Sequence, residues 1–433
     1  MKRRLTQLAF LTLAAPAFAQ INVGSDGSDG AFAFVADAGD PNVMTIDLGL
    51  AATATWPTPS PDAGQGVYDA TEWAVVFKYT NVTVPTGKAV RFTNHASRAP
   101  VVWLSQGDVV IDGEVDLDGA VGHAMGEMPD WSVPGPGGFR GGRGWKAFSF
   151  VKGTAGFGPG GARIGTVPAG TPAGYAADGS YLNPVGQPPV GKSYGGARLT
   201  QLLGGSGGAR GKLAFAEGPG SGAGGGALLL AADTRVVVRG SIHADGGTPG
   251  AVPFSEKFGG AGSGGAVRIV ADEVELVTGA LVHCLGAEGE WNNTTAIASP
   301  GRIRIEANVH TFETITEPVP SVGLPGPIFQ PTHGTLTVAS VAGLPVAGDP
   351  QAALIGFFAD VTINDPGPKS VTIVGGGIPD QTLVELRVVD SLGDAIVLTS
   401  TLTATGQPNE TSATIQVDFP ASTVVLQARA VLP

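Results

Sequence analysis

Residues 73–92, WAVVFKYTNVTVPTGKAVRF, alternate apolar and polar positions in three short runs, and residues 266–284, AVRIVADEVELVTGALVHC, repeat that rhythm. Val75, Phe77, Tyr79, Val82, Val84, Gly87, Val90 and Phe92 stand opposite Val267, Ile269, Ala271, Val274, Leu276, Gly279, Val282 and Cys284, always 192 residues apart. A second pair, residues 99–119 and 226–246, matches at a constant offset of 127. There Val101, Trp103, Val109, Ile111, Val115 and Leu117 meet Leu228, Leu230, Val236, Val238, Ile242 and Ala244. Period-two alternation sends one row of side chains inward and the other outward, so each copy predicts three short strands. Strands this short cannot bury an apolar face alone and must stack on neighbouring copies.

The two pairs also match each other. From residues 228–246 to 267–286 the three strands shift by 39, 38 and 40, the adjustment falling at the corner formed by Gly240 and Thr278-Gly279-Ala280. A fragment, GRIRIEANVHTF at 301–312, places Ile303, Ile305 and Ala307 in the inward register. The expected ladders are Val82, Val109, Val236 and Val274 on one wall and Val90, Val115, Ile242 and Val282 on another. Cys284, the only cysteine, continues the row of Phe92, Leu117 and Ala244 and reads as a buried thiol. Over residues 73–312 the chain resembles the parallel β-helix class that includes pectin-lyase-like proteins. It is more similar to Gly-rich secreted bacterial surface proteins built of V-x-V-x-G-x-I-x-A-x-G-G units. The resemblance implies an all-β fold, a right-handed parallel β-helix in the form of a short solenoid with long Gly-rich insertions, and little chemistry.

Successive copies begin 26, 127, 39 and 36 residues apart, although the copies themselves barely change in length. Nearly all extra chain therefore follows the third strand, and the insertions should leave one corner and gather into one surface. The largest, residues 120–226, carries nine bases against four acids, a surplus of five in a chain of net charge −12. Ten aromatics accompany the bases. Trp131, Arg140, Arg143, Trp145, Tyr181 and Tyr194, with Trp291 from a later insertion, form a candidate ligand surface. Aromatic faces stack on sugars, and guanidinium groups bond carboxylates or sulfates, so an anionic polysaccharide or other cell-surface material is the expected partner. The competing structural reading has the aromatics covering outward Val102, Leu104 and Leu229, with glycines letting backbones approach closely.

Stacked third strands align outward Arg91, Asp116, His243 and His283, provided residues 120–226 add no strand between Asp116 and His243. A carboxylate beside two imidazoles can run acid–base chemistry or hold a metal. Asp112, Glu114, Asp116 and Asp118 form an outward comb of the kind that serves glycoside hydrolases and lyases or holds Ca2+. The enzymatic alternative, a polysaccharide lyase or glycoside hydrolase, therefore uses Asp112 and Asp116 with His243 or His283. A solvated mixed-charge edge is the plain reading of the same residues. GSDGSDG, residues 24–30, lacks the spacing of a calcium loop and reads as a pair of turns. No H-E-x-x-H or CxxC pattern occurs, and no cofactor is expected beyond Ca2+ on the comb.

The opening MKRRLTQLAFLTLAAPAFAQ has a basic start, an apolar run and an A-x-A site, which predicts a signal peptide over 1–19. The expected address is the periplasm, surface or surroundings of a bacterium. No later apolar run approaches the length of about 18 residues that a spanning helix needs. Loss of Lys2, Arg3 and Arg4 takes the charge from −12 to −15, which argues against nucleic-acid binding. With 68 Gly and 33 Pro beside dense Val, Ile and Leu runs, the composition fits a β-protein with long Gly-rich connections. Residues 20–72 should cap the first copy, 73–315 form the β-helix and 316–332 a Pro-rich linker. Residues 333–433 carry about seven strand-like runs with turn signals between them, which predicts an immunoglobulin-like β-sandwich.

Overall fold

The computed structural model describes residues 21–124, 130–144, 153–164, 170–183, 190–210, 218–250, 259–291, 293–329, 334–347, 359–390, 395–422 and 424–431. The expected signal peptide lies outside them, as does Trp145. The protein is all-β, with one 3-10 turn, Leu48–Leu50, as its only helical element among the described residues. No helix there is long and apolar enough to cross a membrane.

The repeated copies pair in parallel at the offsets their sequences share. Val75 pairs with Val101, Val101 with Leu228, Leu228 with Val267 and Val267 with Ile303. A second ladder runs Val82, Val109, Val236, Val274. A third runs Val90, Val115, Ile242, Val282. Strands 127 residues apart are thus direct neighbours, and residues 120–226 place no strand between them. The inward side chains of all copies, with Cys284, merge into one buried cluster. Ile303, Ile305 and Ala307 of the last fragment join it.

The first strands depart from alternation for a physical reason. Val101–Ser105 and Ala227–Ala232 are buried at every position, so both faces are apolar, as expected of a parallel sheet covered on two sides. The cover over Val102, Leu104 and Leu229 comes from Val23, Trp56, Leu202, Ile328 and Phe329. Trp56 precedes the first copy and Phe329 follows the last, and none of the aromatics of residues 120–226 joins this cover among the described residues. Val43–Asp47 adds in parallel to Ala89–Thr93, while Val67–Asp69 lies antiparallel on Ala74–Tyr79, occupying otherwise open strand edges. In GSDGSDG the three glycines Gly24, Gly27 and Gly30 take positive φ, and buried Asp29 accepts the Lys78 and Gly64 N–H groups.

The described stretches of the Gly-rich insertions pack into a solid body. Gly218–Ala232 is buried without a break. The N–H groups of residues 220, 223 and 226 donate to the carbonyls of His123, Ala120 and Leu117. Those of 221, 224 and 227 donate to Gly142, Phe139 and Pro136, and those of 222 and 225 to Gly260 and Ser263. All eight bonds measure 2.6–3.1 Å. Each neighbour is met at every third residue, the repeat of a threefold extended helix of the polyproline II kind rather than of a β-strand. The carbonyls of 222 and 225 accept from Gly208 and Gly205, and those of 220 and 223 from Gly250 and Gly247. One central segment is therefore hydrogen-bonded to five others.

Such packing leaves no room for side chains. A Cβ on Gly222 would lie 1.7 Å from the Gly247 carbonyl oxygen, and one on Gly207 would lie 1.9 Å from that of Arg140. Beyond residue 333, two antiparallel sheets share a second core. One contains Thr335–Val341, Gly367–Gly376 and Glu410–Phe419; the other is Ala395–Thr401, Leu383–Asp390 and Val424–Val431. Val371, Ile373, Leu386, Val388 and Ile415 meet between them. The Pro-rich segment before it carries a short strand, Ser321–Gly323, parallel to Arg304–Glu306.

Gly222→Ala is expected to cost about 3 kcal/mol or more, because backbone, not a movable side chain, occupies the added methyl's place. Gly196→Ala, where a Cβ meets nothing within 4 Å, is the control and should change stability by less than about 1 kcal/mol. Denaturant unfolding of the two variants decides; equal stabilities would contradict the close packing.

Candidate functional site

The third strands bring the outward charged row together. Asp116 pairs with His243 in register and His243 with His283. The two imidazoles stack at 5.3 Å. His243 Nε2 lies 3.2 Å from Glu114, and its Nδ1 lies 3.0 Å from Asp118 and 3.7 Å from Asp116. His283 Nδ1 is 2.9 Å from Asp245, and Arg91 Nε donates to Asp116 at 3.0 Å. Burial opposes a charge on His243. The hydrogen bond His243 donates to Asp118 and the fields of Asp118, Asp116 and Glu114 outweigh burial and push its pKa up to about 9.

That protonation decides what the cluster can do. Glu114, Asp116 and His243 each offer one ligand atom, all within 4.8 Å of one another. A protonated imidazole donates hydrogen bonds, so a metal on these three groups would first have to displace the His243 proton. The comb is likewise engaged: Asp112 pairs with Arg239 at 2.9 Å and Asp108 with Arg235 at 2.8 Å. Asp112 and Asp116, the candidate catalytic carboxylates, each give an oxygen to a guanidinium. Sequence reading had missed the matching of Asp108 and Asp112 to Arg235 and Arg239, although the 127-residue offset places each pair in register.

The candidate ligand residues separate into three groups. Trp131 is half-buried, with Arg143 over its ring at 4.9 Å and Arg140 at 5.5 Å. Its Nε1 donates to Thr154 Oγ1 at 3.2 Å, and Phe157 meets the ring edge-on at 6.3 Å. Burial lowers the pKa of both guanidinium groups, and Asp130 opposes the drop. Backbone bonds of the glycine body hold the two arginines: Phe157 N–H donates to the Arg140 carbonyl and Thr154 N–H to that of Arg143. Thr154 and Phe157 carry no motif, and only the fold shows their role.

Tyr181 lies elsewhere, on Ser180–Leu182, which pairs with Thr294–Ile297; Trp291 ends the strand Glu288–Trp291 on the other side of that segment. The Tyr181 hydroxyl donates to the Gly170 carbonyl, and burial pushes its pKa up to about 12. The Trp291 side chain lies outside the described residues. Tyr194 faces inward, packed on Tyr175 at 4.5 Å and bonded to the Gly204 carbonyl, so it offers no ligand surface. Trp131, Arg140 and Arg143 remain as an assembled patch. Comparison with family models, curated proteins and solved structures finds no match to this chain.

The raised His243 pKa makes stability depend on pH. Its contribution is complete below 6.5, the value of the unfolded chain, and is lost as pH rises through about 9. The parent protein should lose on the order of 3 kcal/mol over that window, and His243→Gln should flatten the profile. The charged groups facing the imidazole are Glu114, Asp116 and Asp118, with Arg91, Asp245 and His283 beside them. An imidazole resonance of His243 titrating near 6.5 would contradict this account.

Proposed function

We propose that the chain is a noncatalytic secreted or surface-associated protein that binds anionic extracellular polysaccharide. In this reading the stacked copies form a short right-handed parallel β-helix, followed by an immunoglobulin-like sandwich. The unbroken parallel register from Val75 to Ile303 supports the solenoid, since parallel neighbours joined by crossovers are overwhelmingly right-handed. Two antiparallel sheets around one core support the sandwich.

The observation that carries the binding reading is Trp131 under two guanidinium groups, within a basic insertion of an acidic protein. A ring that packs on a sugar and cations that meet its carboxylate or sulfate are the complementary halves of such a site. The glycine body holds both on a rigid frame, which lowers the ordering cost of binding. Engagement of Asp112 by Arg239 and of Asp116 by Arg91 weighs against the lyase or hydrolase alternative.

Affinity electrophoresis at low salt through gels containing polygalacturonate, a sulfated glycan or dextran tests the proposal. The protein should be retarded by an anionic polymer, less so as salt rises, and not by dextran. Trp131→Ala should weaken retention roughly tenfold, as expected for loss of one stacking contact with its cations. Equal mobility in every gel would remove the ligand claim.

A further inference from the structure

A cleft lies between the glycine body and the C-terminal three-stranded sheet. Its cavity of about 280 Å³ is lined by Arg98, Arg163, Lys192, Arg387 and Arg429, with Glu385 as the sole carboxylate. Glu385 is committed, bonded to Arg429 through both Nε and Nη2. Lys192 meets Asp178 at 2.8 Å, but both are well exposed and that pair is weak.

Arg387 differs from the others. Its Nη1 donates to the Gly156 carbonyl at 2.8 Å and to Gln427 Oε1 at 3.3 Å, and its Nη2 donates to the Ala162 carbonyl at 2.9 Å. All three acceptors are neutral, and its Nε is buried without an acceptor. No carboxylate pairs with it among the described residues. Burial and the neighbouring Arg163 charge push its pKa down to about 10. Arg163 is exposed and makes no ion pair among the described residues. Among the described residues, two guanidinium groups therefore face one cavity without an ion-pair partner, an arrangement that costs free energy until an anion enters. Phe139, Pro159, Val190 and Val397 supply apolar wall beside the charges.

We propose that this cleft binds a single acidic sugar residue, its carboxylate between Arg163 and Arg387 and its ring against Phe139 and Pro159. The cavity accommodates one hexose-sized ring, and a guanidinium matches the planar carboxylate. The site stands apart from the Trp131 surface, although both are built on the same two stretches: Phe139 and Pro159 line the cleft, Arg140 and Phe157 the patch. It also links the two halves of the protein, since Arg387 and Arg429 reach across to the carbonyls of Gly156, Ala162 and Pro159.

NMR titration of the full chain at low salt with galacturonate, glucuronate, galactose and sulfate tests the proposal. A uronate should shift signals from residues around the cleft, while galactose should not. Arg163→Gln removes a charge that makes no ion pair or side-chain hydrogen bond among the described residues, and should weaken uronate binding roughly tenfold or more. Arg387→Gln should weaken it as well, and Trp131→Ala should leave it unchanged, so failure here is distinguishable from failure of the polysaccharide surface. Absence of uronate binding, equal binding by Arg163→Gln, or sulfate binding as tightly as a uronate would each overturn the acidic-sugar site.

Discussion

Hydrogen bonds between backbones packed close together, mostly at glycines, hold this molecule in shape. A buried N–H or carbonyl must find a partner, and in most proteins a sheet or helix supplies it. Here Gly220–Ala227 meets the requirement by turning one N–H to each of three neighbours in succession. Only glycine permits backbones to approach this closely, and the methyl clash at Gly222 shows how little slack remains. The cost is the larger conformational entropy that glycine loses on ordering. Many simultaneous bonds and the burial of Gly218–Ala232 offset it.

The parallel ladders make that packing available. Because every insertion leaves after a third strand, the copies deliver their Gly-rich segments side by side. Leu117, Ala244 and Cys284, one in each copy, begin the departing segments and remain in the valine-rich core. The ladders thus set the spacing of the glycine segments, which in turn fix Thr154 and Phe157 against Trp131. The charged wall behaves differently: its carboxylates are matched across copies by Arg91, Arg235, Arg239 and protonated His243, so it contributes electrostatic cohesion on an exposed face.

The ladders were legible because valine, isoleucine and leucine alternate with period two and each copy repeats the turn glycine. Burial of Cys284 and the approach of Asp116, His243 and His283 followed from the same register. The glycine body was not legible, since residues without side chains leave no apolar period to read. Its three-residue repeat is visible only in which carbonyl each N–H meets. The cover over Val102 and Leu229 was hidden for another reason: Trp56 and Phe329 are far apart in sequence and carry no pattern linking them. Tyr194 looked like a ligand residue because an aromatic beside glycines reads alike whether it faces solvent or packs on Tyr175. Arg387 escaped notice because a charge on a strand ordinarily faces water, and only the fold sets it against Gly156 and Ala162.

Residue-resolved amide hydrogen exchange across 220–227 tests the central claim most directly. If these N–H groups are bonded to neighbouring backbones as the structure shows, they will exchange as slowly as Leu228–Ala231 in the adjoining parallel strand. Exchange as rapid as that of an exposed turn, while Leu228–Ala231 stays protected, would contradict the account and leave the insertions as ordinary loops.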